Sequence, residues 1–348
     1  MLFRPSIIPA AALAMCVPFL GPVPAPEASP AQAPAITIKL ATQALTGTMW
    51  EKQLVEMAVA WNKSTAGRVA LQIFPDGKTG DEKSSVSRMR ADTLQAALLT
   101  AGGLSFIEKA FNAFTVPFFF ETDAEEIAVQ EKLEPVLEDL LQKKGFHLLC
   151  WGTGGWVQVF SKQPIRTLKE LKAARLYVNK EDVEMLQWFN RNGFNAKPLA
   201  IGDIATQLKL PSGMIDAAPL TPYLGQMTQV FSSAKFMLDA HIDPFVGALV
   251  VTTKAWNAIS TEDRAKLTAA ARVMEKTIRS KAPDQDAEAI EAMKKRGLQI
   301  ITPDAAAMAE FRAAAAELAS TMRGGIVPRE IYDQAMMERD AARKKLPK

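Results

Sequence analysis

From residue 36 onward the apolar positions switch repeatedly between a period of two and a period of 3.6, which predicts strands alternating with amphipathic helices. Ala35–Ala41 alternates as a first strand, and Trp50, Leu54, Met57, Ala58 and Trp61 then recur at helical spacing. Val69, Leu71 and Ile73 alternate as a second strand, ended by the turn Phe74-Pro75-Asp76-Gly77. Leu94–Leu99 predicts a third strand, with Thr100-Ala101-Gly102-Gly103 at its C-terminal end. Glu121–Lys144 is helical and turns at Gly145, and Phe146–Trp151 reads as a buried strand. Between Thr167 and Tyr223 one unit occurs twice: a short apolar strand, a loop and an amphipathic helix. Leu176 and Val178 mark the first of these strands, and Leu199 and Ile201 lead into the second helix, which bears Ile204, Leu208 and Leu210. Met214–Ala218, Phe236–Leu238 and Gly247–Thr252 are further strands. Ser260-Thr261-Glu262-Asp263 opens a helix of capping-box type that runs to Arg296, with Pro283 its only breaker. The pattern is that of α/β layers whose strand ends carry a ligand site.

With 348 residues, the chain holds one large or two medium domains with ample core. A net charge of +3 gives no reason to expect nucleic acid, and two Cys and two His limit disulfides and His-rich metal sites. The first residues read as a targeting segment. Met1–Arg4 is short and basic, Ile7–Leu20 is apolar but short for a membrane span, and residues 21–35 are Pro/Ala-rich with A-x-A sites ending at Ala33 and Ala35. Residues 1–35 are therefore expected to direct export and be removed. The other readings are an uncleaved anchor and a lipid attached to Cys16.

Catalytic motifs are missing: there is no G-x-S-x-G, H-E-x-x-H or P-loop. Gly152-Thr153-Gly154-Gly155-Trp156 fails as a dinucleotide loop, because Val157 stands where a third glycine is needed and no helix follows. Asp239, His241 and Asp243 sit at i, i+2 and i+4, which on one strand would share a face and suit a metal-dependent hydrolase. A plain hydrogen-bonded loop is the preferred reading of these three, so no cofactor is expected.

Leu171, Lys172, Arg175, Leu176 and Val178, followed by Asp203, Ile204, Leu208, Gly213, Ile215 and Asp216, resemble the central stretch of the DctP-like solute-binding proteins of TRAP transporters. Phe74–Glu82 resembles the same family's F-P-x-G-x-L-G-x-E, departing at Thr79. Val116–Phe120 and His241 match at two further points, and the likeness spans roughly residues 36–330. It implies a two-lobe periplasmic binding protein fold with a central ligand cleft and a long kinked helix bridging the lobes. The lobes would be 36–160 plus 247–283 and 161–246 plus 284–348. It further implies a periplasmic, non-enzymatic transport protein. Its partners would be a small-molecule ligand, the small and large TRAP membrane subunits, and a tetratricopeptide periplasmic protein.

Site residues carried over by the resemblance are Gln43, Leu45, Glu82, Thr100, Gly102, Trp156, Tyr177, Leu220, Tyr223 and His241. Tyr177 stands where the family has a carboxylate-clamping arginine. A hydrogen bond to a charged group contributes roughly 1.5–3 kcal/mol, and a neutral hydroxyl bond roughly 1 kcal/mol. A neutral or apolar ligand is therefore expected. The alternative is an organic acid held by Arg175, two residues away on the same strand face.

Overall fold

The structure, a computed structural model, describes residues 36–345. The expected export segment and Cys16 lie outside the described residues. The chain begins with β1 (Ile36–Thr42), α1 (Met49–Ser64), β2 (Val69–Phe74), α2 (Glu82–Arg90) and β3 (Ala96–Thr100). A single turn, α3 (Ala101–Leu104), and a 3-10 segment, Lys109–Thr115, precede α4 (Asp123–Lys143), β4 (Phe146–Trp156) and β5 (Gln158–Ser161). The repeated unit gives α5 (Leu168–Ala173), β6 (Arg175–Asn179), α6 (Val183–Arg191), β7 (Asn195–Leu199), α7 (Ile204–Lys209), β8 (Ala217–Leu220) and α8 (Pro222–Met227). Then come β9 (Phe236–Leu238), β10 (Pro244–Thr252), α9 (Thr253–Asn257), α10 (Thr261–Lys294), β11 (Gln299–Ile301), α11 (Ala305–Met322) and α12 (Arg329–Lys345). Short polar side chains start the helices by accepting from orphan backbone N–H groups: Thr48, Asp81, Thr122, Ser260 and Asp304, with a full capping box at Thr167 and Glu170.

The strands form two sheets, one of five in the order β2-β1-β3-β10-β4 and one of six in the order β11-β9-β5-β8-β6-β7. In the first, β1 runs parallel to β2 and β3, while β10 is antiparallel to β3 and β4. In the second, β6 runs parallel to β7 and β8, while β5 is antiparallel to β8 and β9. This is the two-lobed α/β architecture of periplasmic binding proteins.

The chain crosses between the sheets at Val157, the single residue separating β4 from β5, and returns through 239–243. The third crossing is α10, whose 34 residues span about 50 Å at 1.5 Å per residue. Its Leu267, Ala271, Met274 and Ile278 pack with Ile38, Leu40 and Trp61 beneath the first sheet. Its Ala289 and Met293 pack with Phe160 and Met237 beneath the second. One helix thus belongs to both cores. Pro283 lies inside it without dividing it, so only the intrahelical donor to Arg279 is lost.

The final helix departs from the expected division, in which residues 284–348 go with the second lobe. Ile331, Tyr332 and Ala335 of α12 are buried, and the Tyr332 ring meets Phe119 edge-on at 5.5 Å. Arg343 donates to both carboxylate oxygens of Glu125 at 2.7 and 2.9 Å, so α12 lies along α4, beside the first sheet.

Neighbouring Glu126 on α4 is buried, and one of its oxygens has no hydrogen-bond partner. Burial pushes its carboxyl up to about 8. The folded chain therefore holds a proton that the unfolded chain releases, and this stabilisation is lost as pH rises from the ordinary glutamate range towards about 8. Glu126→Gln is expected to raise the melting temperature at pH 8 by about 1–2 °C for each 1 kcal/mol recovered in a chain of this size. It should change the melting temperature little at pH 5. Thermal melts of both proteins across that range test this, and parallel curves would contradict it.

Candidate functional site

A cavity of about 480 Å³ opens between the two sheets. The first sheet's side supplies Thr42, Gln43, Leu45 and Thr100 at strand ends, together with Asp81 and Glu82 from the start of α2. The second supplies Asn179, Lys180 and Glu181 after β6, Leu220 of β8 and Tyr223 of α8. The ligand site of an open α/β sheet lies at such strand ends.

Several polar wall groups are held by specific partners. Gln43 Nε2 donates to the Gly80 carbonyl at 2.8 Å. Glu82 accepts from Thr100 N at 2.6 Å and from Thr100 Oγ1 at 2.7 Å, and burial shifts its carboxyl upward. A Cβ at Gly103 would stand 2.5 Å from Glu82 Cδ, so the glycine makes room for this carboxylate. Tyr223 Oη accepts from Met49 N at 3.0 Å, across the mouth of the cleft. Asp81 and Glu181 face each other from opposite lobes through a carboxyl–carboxyl hydrogen bond, which draws Asp81 down to about 2. Glu181 rises to about 7, first through burial and then through Asp81.

Of the expected site residues, Gln43, Leu45, Glu82, Thr100, Leu220 and Tyr223 line the cleft. Gly102, Trp156, Tyr177 and His241 do not. Gly102 sits half-buried in α3, one position short of the glycine against Glu82. Trp156 donates from Nε1 to Asp123 at 2.7 Å and stacks on His241, with ring centres 5.0 Å apart. His241 borders a separate, smaller hollow with Phe118, Glu121 and Arg312. Tyr177 packs against the core of the second sheet, and burial, with Glu82 and Glu181 nearby, pushes its hydroxyl pKa upward.

Arg175 is not available as a clamp either. It donates twice to Asp216, at 2.6 Å each, and to the Gly213 carbonyl at 2.5 Å. Arg175, Tyr177 and Asn179 share one face of β6, and of the three only Asn179 lines the cavity. Asp239, His241 and Asp243 fail as a metal set because they fall in the loop between β9 and β10, which removes the common strand face. Among the described residues no three His, Cys, Asp or Glu side chains are grouped to hold a metal.

Asn179, Lys180, Glu181 and Asp81 were not foreseen as site residues. Their position beside strand ends and helix starts is the signal that marks them. Asp286 of α10 accepts from Trp156 N and Tyr223 N, and no local motif announces it.

The fold and cleft are those of a periplasmic solute-binding protein. The model of the DctP family, bacterial extracellular solute-binding protein family 7, matches residues 40–323, and the chain belongs to that family. It is a non-catalytic, periplasmic component of a TRAP transporter, working with a small-molecule ligand and membrane subunits. It is 25% identical to the 2,3-diketo-L-gulonate-binding periplasmic protein YiaO of Escherichia coli, over 68% of this chain and 72% of that one. A TRAP solute-binding protein of Xanthobacter autotrophicus with bound β-D-galacturonate superposes with a TM-score of 0.79 at 22% identity, covering 87% of this chain and 99% of that one. The sugar acid binding protein DctPAm of Advenella mimigardefordensis, in complex with galactonate, gives 0.81 at 16% identity, covering 89% and 100%. All three relatives take sugar acids. They overturn the expectation of a neutral or apolar ligand and favour the alternative, an organic acid; Tyr177, on which that expectation turned, does not line the cleft.

Gly103→Ala is expected to push Glu82 off its Thr100 donors and to destabilise the protein by about 1–3 kcal/mol, the usual cost of overpacking. Urea denaturation checks this; an unchanged midpoint would show that the wall yields freely.

Proposed function

We propose that this protein captures a small organic acid of the sugar-acid class in the cleft and delivers it to the TRAP membrane subunits. The observation that carries the reading is the ligand shared in kind by relatives of the same fold, a carboxylate bearing several hydroxyls. The wall suits such a molecule. Gln43, Asn179 and Tyr223 offer neutral polar contacts, and Glu181 offers an oxygen to hydroxyl donors. Lys180 is the one basic side chain among the described residues lining the cavity, and we assign it to the ligand carboxylate. Arg175 has no such role, since Asp216 occupies its guanidinium.

Capture proceeds by closure of the lobe built on the first sheet (36–156, 244–283 and α12) on the lobe built on the second (158–238 and 284 to the end of α11), about Val157, the loop 239–243 and α10, which moves the expected bounds at 160 and 247 to the ends of the strands. A tetratricopeptide partner rests on an apolar ligand and forms no part of this reading.

Isothermal titration with D-galacturonate, D-glucuronate, galactonate and D-galactose tests the proposal. At least one acid is expected to bind at micromolar affinity or tighter, with galactose at least ten-fold weaker. Lys180→Ala should weaken the acid by roughly ten-fold or more, the loss of a bond to a charged group. Equal binding of galactose would sink the ligand class, and undiminished acid binding by Lys180→Ala would sink the assignment of the lysine.

A further inference from the structure

We propose that Asp286 is a positioning residue for cleft closure: from the bridging helix it fixes Tyr223 in the place where the tyrosine hydroxyl ties the second lobe to the first. Asp286 lies on α10 between Ile278, which packs in the core of the first sheet, and Ala289, which packs in that of the second. One carboxylate oxygen accepts from Tyr223 N at 3.0 Å and the other from Trp156 N at 3.2 Å. Trp156 ends β4, immediately before the crossing residue Val157. Tyr223 lines the cleft, and its hydroxyl accepts from the backbone of Met49, the first residue of α1. A continuous chain of hydrogen bonds thus runs from the crossing strand through Asp286 and Tyr223 to the opposite wall.

The site is shaped for this carboxylate. Gly155 has a φ of +85°, and a methyl group there would overlap Asp286 Oδ2. No ion pair of Asp286 occurs among the described residues, and burial, with a smaller repulsion from Asp123, shifts its carboxyl upward. A half-buried carboxylate with two backbone donors and no cation is costly to keep unless its geometry is used. The geometry it fixes is that of the two segments that must move together when the lobes close. The inference holds for any small molecule in the cleft and is independent of the sugar-acid assignment.

The test measures lobe separation without ligand. Spin labels are placed at exposed Lys63→Cys on α1 and Lys209→Cys on α7, in a Cys16→Ala background; Cys150 is fully buried. Pulsed electron spin resonance then compares the unsubstituted cleft with Tyr223→Phe, Asp286→Asn, Asp286→Ala and the double variant Tyr223→Phe/Asp286→Ala. The unsubstituted cleft is expected to show a short-distance population. Tyr223→Phe and Asp286→Ala should each reduce it several-fold, Asp286→Asn, which keeps one acceptor, should reduce it less, and the double variant should lose no more than the worse single one. Circular dichroism confirms which variants are folded, and Tyr223→Phe together with Asp286→Asn carries the test if Asp286→Ala is not. A wild-type distribution lacking the short distance overturns the proposal. So does a short-distance population unchanged in Asp286→Asn and Asp286→Ala, or losses that simply add in the double variant.

Discussion

Two reciprocal backbone hydrogen bonds hold the point on which the molecule turns. Val157 N–H donates to the Asp243 carbonyl at 2.9 Å, and Ile242 N–H donates to the Val157 carbonyl at 3.0 Å. Here the outgoing path, β4 to β5, runs beside the returning path, β9 to β10. Neither sheet is complete without both paths. The strand β10 pairs with β3 and β4 of the first sheet only after the chain has built most of the second. The two cores are therefore folded through each other rather than in series, and β10 contributes long-range pairings that cost loop-closure entropy. A junction of two extended segments and one helix can rotate by small changes in φ and ψ while both sheets stay intact.

Local pattern was enough to place most of the elements. Alternation marks β1, β2 and β6, and Ser260 and Thr167 mark helix starts, because strands and caps are decided by residues within a few positions of one another. What a strand period does not encode is depth. It places Arg175, Tyr177 and Asn179 on one side of β6, and the distance to the opposite lobe decides which of them meets the cavity. Arg175 meets Asp216, 41 positions away, before it can meet a ligand. Asp286 and Trp156 are 130 positions apart, so their contact leaves no trace in spacing. Pairing choices of this kind belong to tertiary structure.

Aromatic residues mislead for a related reason. Trp156 looks like the wall of a pocket because it ends β4 at the crossing, and Tyr177 because it stands at the arginine position of the resemblance. Trp156 instead turns outward, to Asp123 and His241, and Tyr177 inward, to the second core. An indole or phenol gains most by burying its ring: Trp156 does so with its Nε1 donating to Asp123, and Tyr177 packs its ring on the second core. The cleft keeps its few polar groups beside a largely apolar lining that includes Leu45, Trp50, Leu98, Leu99, Ile201 and Phe245.

That leaves a wall with four carboxylates, Asp76, Asp81, Glu82 and Glu181, and one lysine, an awkward host for an anion if charges are merely counted. Their partners change the sum. Asp76 accepts from Thr46 N and Thr46 Oγ1 at 2.7 Å each, and Glu82 spends both oxygens on Thr100. Asp81 caps α2 through Ser84 N at 2.8 Å and shares a hydrogen bond with Glu181, which near neutral pH leaves that pair holding a proton between them. Much of the negative charge is therefore committed to the protein's own donors or neutralised. Lys180, next to Glu181 and exposed, keeps its ammonium free of any ion pair among the described residues. In the proposed sugar-acid reading, the ligand carboxylate meets that ammonium, and its hydroxyls meet polar groups whose orientation the fold has already fixed.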